Sequence, residues 1–112
     1  MAVTPVDEPE RFALQDLVSD GHHRLLLSGE LDLAAVPAME ACLRGLCAEG
    51  TTSIVLDLRK LTFMDSNGLR LMLLARQLCS EHGCELRLIQ GPAQVRQVFE
   101  VTALLDHLPF SG

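Results

Sequence analysis

Apolar residues alternate with polar ones in some stretches of this chain and recur every three to four positions in others. The switches between the two periods lay out its elements. Phe12, Leu14 and Asp16-Leu17 alternate weakly and predict a first strand. Ser19-Asp20-Gly21 reads as a turn, and His23 to Ser28 as a second strand ending at Gly29. The Asp-Gly turn between them predicts an antiparallel hairpin. Asp32 then introduces a helix from about Ala34 to Ala48, on which Val36, Met39, Leu43 and Leu46 recur at helical spacing. Pro37 falls in its first turn, where a missing N–H is harmless, and Gly50 marks the exit.

Ser53 to Leu58 is a short strand whose Ile54-Val55-Leu56 run suits burial on both faces of a parallel sheet. Arg59 to Thr62 reads as a loop, and Phe63-Met64 leads into Asp65-Ser66. A helix follows from Ser66 to His82, closed by Gly83, with Leu71, Leu74, Ala75, Leu78 and Cys79 on its core side. Leu69 and Leu73 fall on another flank, roughly 100° to 160° away, where they either pack under a loop or form an apolar docking surface. Glu85 to Ile89 is a further strand, and Gly91-Pro92 starts a shorter helix carrying Val95, Val98 and Phe99. Ala103 to Leu108 fits a helical turn or a last strand equally well. A hairpin followed by helix, strand, helix, strand, helix builds a mostly parallel sheet through right-handed crossovers, and so few helices can all lie on one face.

Composition narrows the reading. At 112 residues, 48% of them hydrophobic, the chain suits one domain, expected over residues 11–112 behind a flexible proline- and acid-bearing segment at 1–10. Its longest apolar candidate, Leu71 to Ala75, lies between Arg70 and Arg76, far short of a membrane span. With no signal-like start either, a soluble cytoplasmic protein is expected. A net charge of −6 and the absence of Trp and Tyr argue against nucleic acid and favour a protein partner. Cys42/Cys47 and Cys79/Cys84 share a C-x4-C spacing. On a helix the first pair points about 140° apart, which is wrong for one metal ion, so small buried or half-buried thiols are expected, and neither a metal nor a cofactor. His22, His23, His82 and His107 form no ligand-spaced pair and read as surface residues.

One stretch carries chemistry. In Met64-Asp65-Ser66-Asn67-Gly68 a hydroxyl follows a carboxylate where a strand gives way to a helix. Taken alone, that is a helix cap; the same free N–H groups also make a helix start a tolerable place for a phosphate.

Three segments taken together, Gly29-Glu30-Leu31-Asp32, Ile54-Val55-Leu56-Asp57-Leu58 and Phe63-Met64-Asp65-Ser66-Asn67-Gly68-Leu69, resemble the STAS domain of bacterial anti-sigma factor antagonists. The likeness runs from about Leu14 to Leu108. It implies an α/β, STAS-like single domain: a mostly parallel or mixed sheet of four to five strands with helices mainly on one face. It also implies a non-enzymatic partner switch. The unmodified domain binds an anti-sigma factor serine kinase of the GHKL type and so frees a sigma factor. ATP-dependent phosphorylation releases it, and a serine phosphatase restores it. Carried over residue by residue, the acceptor is Ser66, Asp65 is the adjacent acid, and Asp32 and Asp57 match the acids of the two upstream segments. Asp32, Asp57, Asp65, Ser66, Asn67, Gly68, Leu69 and Leu73 are the expected partner-binding positions. The chain departs from the family at Asn67, where Ser or Thr is usual, and its end at Gly112 leaves room for only a short terminal helix or none.

Asp32 by itself reads as a helix cap, and Asp57 as a strand-end acid that can satisfy loop amides. Neither has the company of an acid–base pair, which disfavours a third possibility, an enzyme or phosphocarrier using Ser66 as nucleophile. Asn67 keeps a phosphorylation-independent interaction module in a signalling or transport assembly as the alternative.

Overall fold

Asp20 and Gly21 both adopt left-handed backbone (φ 49° and 79°), which a two-residue hairpin turn requires. They join strand β1 (Ala13–Ser19) to β2 (His22–Leu31), antiparallel, with Ser19 opposite His22. A computed structural model describes residues 11–111; the segment 1–10, expected to be flexible, and Gly112 lie outside the described residues. After β2 come a 3-10 turn (Leu33–Ala35), α1 (Val36–Ala48), β3 (Ser53–Met64), α2 (Ser66–His82), β4 (Glu85–Ile89) and α3 (Ala93–Val101). A second 3-10 turn (Leu105–His107) and a short β5 (Phe110–Ser111) complete the chain. The five strands form one sheet in sequential order, with only β1 antiparallel to its neighbour.

Alternation along the strands decides which face is covered. Leu25 and Leu27 of β2, Ile54, Leu56 and Leu58 of β3, and Leu88 of β4 are fully buried. They share a core with Met39 and Leu43 of α1, Met72 and Ala75 of α2, and Val95 and Phe99 of α3. Each such leucine stabilises the fold by roughly 1.5–3 kcal/mol. The intervening residues, among them Arg24, Leu26, Val55 and Arg87, are exposed or half-buried on the other face. The expected mixed sheet with helices on one face is therefore the observed architecture.

Several boundaries differ from expectation. β2 runs on through Gly29 to Leu31, and β3 continues through the expected loop at Arg59–Thr62 to Met64. In two places β3 advances one residue more than β2, between the pairs Leu26/Asp57 and Ser28/Lys60 and between Gly29/Leu61 and Glu30/Phe63. These bulges break strict alternation and leave adjacent residues Arg59 and Lys60, then Thr62 and Phe63, exposed. β4 stops pairing at Ile89, opposite Asp57, so this half of β3 is paired on one side only. The 103–108 segment contains a 3-10 turn and the strand comes after it, at Phe110. Phe110 packs edge-on against Phe99 with ring centroids 5.0 Å apart, which fixes the two-residue β5 against α3.

The α2 face also needs correction. Leu69 and Met72 are buried along with Leu71, Ala75 and Leu78, whereas Leu74 is only half-buried. The helix packs against α1, α3 and the sheet, so its buried arc is wider than one stripe.

Candidate functional site

Two parallel neighbours, β2 and β3, end side by side with Leu31 opposite Met64, and each passes through an aspartate into a helical turn. Asp32 has extended backbone and its Oδ1 accepts from the Ala34 N–H at 3.0 Å. Asp65 repeats the geometry, accepting from the Asn67 N–H at 2.9 Å. Each cap contributes about 1 kcal/mol. The two acids thus mark the carboxyl ends of adjacent strands, where α/β folds usually present ligand-binding groups. The Asp65 N–H also reaches the Leu31 carbonyl at 3.4 Å, tying the two turns together.

Ser66 is the first residue of α2 and is exposed. Asn67 is half-buried, and its side-chain amide donates to the second oxygen of Asp65 at 3.4 Å, so it folds back on the cap and leaves the serine hydroxyl uncovered. Gly68 is buried because the helix sits directly on the strand ends. A Cβ there would overlap Met64 Cγ and come within 3.1 Å of Leu31 Cδ2. Leu69, an expected docking residue, is core, at 7% exposure. Leu73 is half-buried on the outer flank of α2. Of the expected partner-binding positions, then, Asp32, Asp65, Ser66, Asn67 and Leu73 reach the surface, while Gly68 and Leu69 serve packing.

Asp57 lies elsewhere. It sits in mid-strand rather than at a strand end, on the sheet face opposite the helices, and is 2% exposed. Arg59 donates to it through its guanidinium (2.7 and 3.0 Å) and its backbone N–H (3.1 Å), and Arg24 adds a bond at 2.9 Å. The amide it satisfies is that of Arg59, a strand residue rather than a loop one. Two guanidiniums cover the carboxylate: Arg59's because β3 continues past Leu58, and Arg24's because β2 runs parallel beside β3. The Arg59 hydrogen bond holds the Asp57 carboxyl well below the usual carboxylate range; burial opposes this and Arg24 reinforces it. A depressed carboxyl adds stability that is present above its unfolded value and lost as pH falls through its folded one. Asp57→Asn should therefore cost about 1–3 kcal/mol at pH 7, with both arginines free to relax into water. The gap to wild type should narrow below about pH 4. Thermal melts from neutral to acid pH check both, and a gap independent of pH would refute the assignment.

Cys47 of α1, Cys79 of α2 and Cys84, just before β4, come together, an association invisible in their spacing. Burial, then the neighbouring thiols, push Cys79 far above an ordinary thiol. Among the described residues no cluster of His, Cys, Asp and Glu is arranged for a metal ion. His23 is half-buried rather than a surface residue, its Nδ1 2.9 Å from the Asp16 carboxylate. Among the described residues none of the histidines hydrogen-bonds to Ser66, and no helix is long and apolar enough to cross a membrane.

The family model of the STAS domain matches residues 14–111. The chain belongs to the STAS-domain family. This STAS domain is 28% identical over 93 residues to an anti-sigma-B factor antagonist of Staphylococcus aureus, a match covering 83% of the chain and 86% of the relative. It also resembles the anti-sigma factor antagonist SpoIIAA in its unphosphorylated form, with a TM-score of 0.75, 27% identity, and 91% and 89% of the two chains covered. Against the phosphorylated form of SpoIIAA from Bacillus the TM-score is 0.69 at 26% identity, covering 91% and 92%.

Proposed function

We propose that this STAS domain is a non-enzymatic, cytoplasmic anti-sigma factor antagonist controlled by phosphorylation of Ser66. The observation that carries the reading is the exposed Ser66 hydroxyl, placed on the first turn of α2 directly after the Asp65 cap. The likeness to an anti-sigma-B factor antagonist, and to SpoIIAA with and without phosphate, supports it. In the unmodified state the surface made by Asp32, Asp65, Ser66, Asn67 and Leu73 binds an anti-sigma factor serine kinase of the GHKL type, and a sigma factor is freed. The kinase then transfers the γ-phosphoryl group of ATP to Ser66 Oγ, ADP leaves, and the hydroxyl proton is lost. The phosphorylated domain dissociates, and a serine phosphatase returns it to the binding form.

Incubation with the cognate kinase and ATP, followed by mass spectrometry, is expected to give one phosphate on wild type and none on Ser66→Ala. Unlabelled wild type, or equal labelling of both, would overturn the reading. Asn67 favours a second one, a phosphorylation-independent interaction module. Capture of a stable non-kinase partner whose affinity ignores the state of Ser66 would establish it.

A further inference from the structure

A phosphate on Ser66 brings about −1.5 to −2 charges to a place already flanked by carboxylates. Asp65 immediately precedes it, and Asp32 ends the neighbouring strand. Water screens most of that charge at the exposed Ser66, and a cation within reach would stabilise the modified form further. Asp65 already engages the Asn67 N–H, which removes one of the backbone donors at the start of α2.

Arg70 is the candidate. It lies four residues after Ser66 on α2, the spacing at which helix side chains face one another, with the acidic group on the favourable N-terminal side of the base. No other cation occurs in the first five residues of this helix. Arg70 is exposed and has no carboxylate partner among the described residues. Its neighbour across the cleft, Arg44, is committed to Glu40 at 3.0 Å. That cleft, about 260 Å³, separates α1 and its preceding 3-10 turn from the start of α2, and Leu33, Val36, Asn67 and Arg70 help to line it.

We propose that Arg70 is the phosphate-receiving residue of this domain. The inference rests on the reading of Ser66 as the phospho-acceptor and names the group that answers it. Its guanidinium donates to the phosphate oxygens across one helical turn, a charge-assisted arrangement that an unmodified serine cannot hold. Phosphorylation then does two things at once. It adds negative charge at Ser66, and it draws the uncommitted arginine of the α1–α2 cleft toward that charge. A partner docked there meets both changes.

The test installs phosphoserine at position 66 of the full chain during translation and follows its phosphorus resonance through a pH titration. Arg70 favours the dianion, so Arg70→Gln should raise the phosphate midpoint by about 0.15–0.4 pH unit. High salt should shrink that difference, as for any exposed pair. Arg76→Gln, on the same helix but far from the phosphate, should leave the midpoint in place. Coincident titrations for wild type and Arg70→Gln would overturn the proposal, as would an equal shift from Arg76→Gln. Because no kinase takes part, failed labelling of Ser66 in the kinase assay would sink the functional reading alone and leave this outcome standing.

Discussion

On the proposed reading, phosphorylation of Ser66 is expected to weaken binding to an anti-sigma factor kinase at least about a hundredfold, corresponding to about 3 kcal/mol. The melting temperature of the domain should stay within a few degrees. The two expectations come from the same geometry. Ser66 is exposed in the free protein, so water screens the new charge and the repulsion from Asp65 amounts to about 1 kcal/mol at high dielectric. The start of α2 returns about 0.3–1 kcal/mol in compensation. In a complex that water is gone, and a dianion pressed into an interface built around a neutral hydroxyl costs several kcal/mol. Calorimetric titration of the two forms with the kinase measures the first expectation, and thermal melts of the free forms measure the second. Equal affinities would remove the switch. A collapse of the melting temperature would make the effect one of unfolding instead.

Replacing Gly29 by Ala is expected to destabilise the domain by about 3 kcal/mol, enough to lower its melting temperature by more than about 10 °C. Gly29 lies inside β2 with φ 81°, in the left-handed region that costs a side-chain-bearing residue about 1–2 kcal/mol. A Cβ there would also overlap the carbonyl oxygen of Arg11 and stand 2.7 Å from its carbonyl carbon. Those are backbone atoms at the entry to β1, and they cannot swing aside as a side-chain tip would. Gly29 also sits beside one of the register shifts between β2 and β3, just before the strand delivers Asp32 to its cap. Differential scanning calorimetry of Gly29→Ala decides the point. A loss below about 1 kcal/mol would mean that the β1 entry can move aside, because ordinary surface substitutions fall within that range.

The elements most legible in the sequence were those coded by near neighbours. The Asp20-Gly21 turn, the caps at Asp32 and Asp65 and the exit at Gly83 each depend on a few consecutive residues. β3 was legible only in its first half. Up to Asp57 it is paired on both sides and reads as an apolar run. Beyond that it is paired with β2 alone and carries two extra residues, so Arg59-Lys60 and Thr62-Phe63 imitate a loop. Read as a loop, this stretch hides the Arg59–Asp57 pairing, which emerges only once β3 is known to continue past Leu58.

The sequence by itself determined the order of elements, the mostly parallel sheet, and the serine placed after a capping aspartate at the start of a helix. Periodicity, turn residues and caps act over one or two turns of chain, so they survive without knowledge of the fold. Only the tertiary structure decided that Leu69 is core while Leu73 stays at the surface, that Arg24 joins Asp57 from 33 residues away, and that Gly29 clears the Arg11 backbone. Those facts depend on strand register, bulges and the seating of α2 on the sheet. Side chains far apart in sequence fix that geometry together.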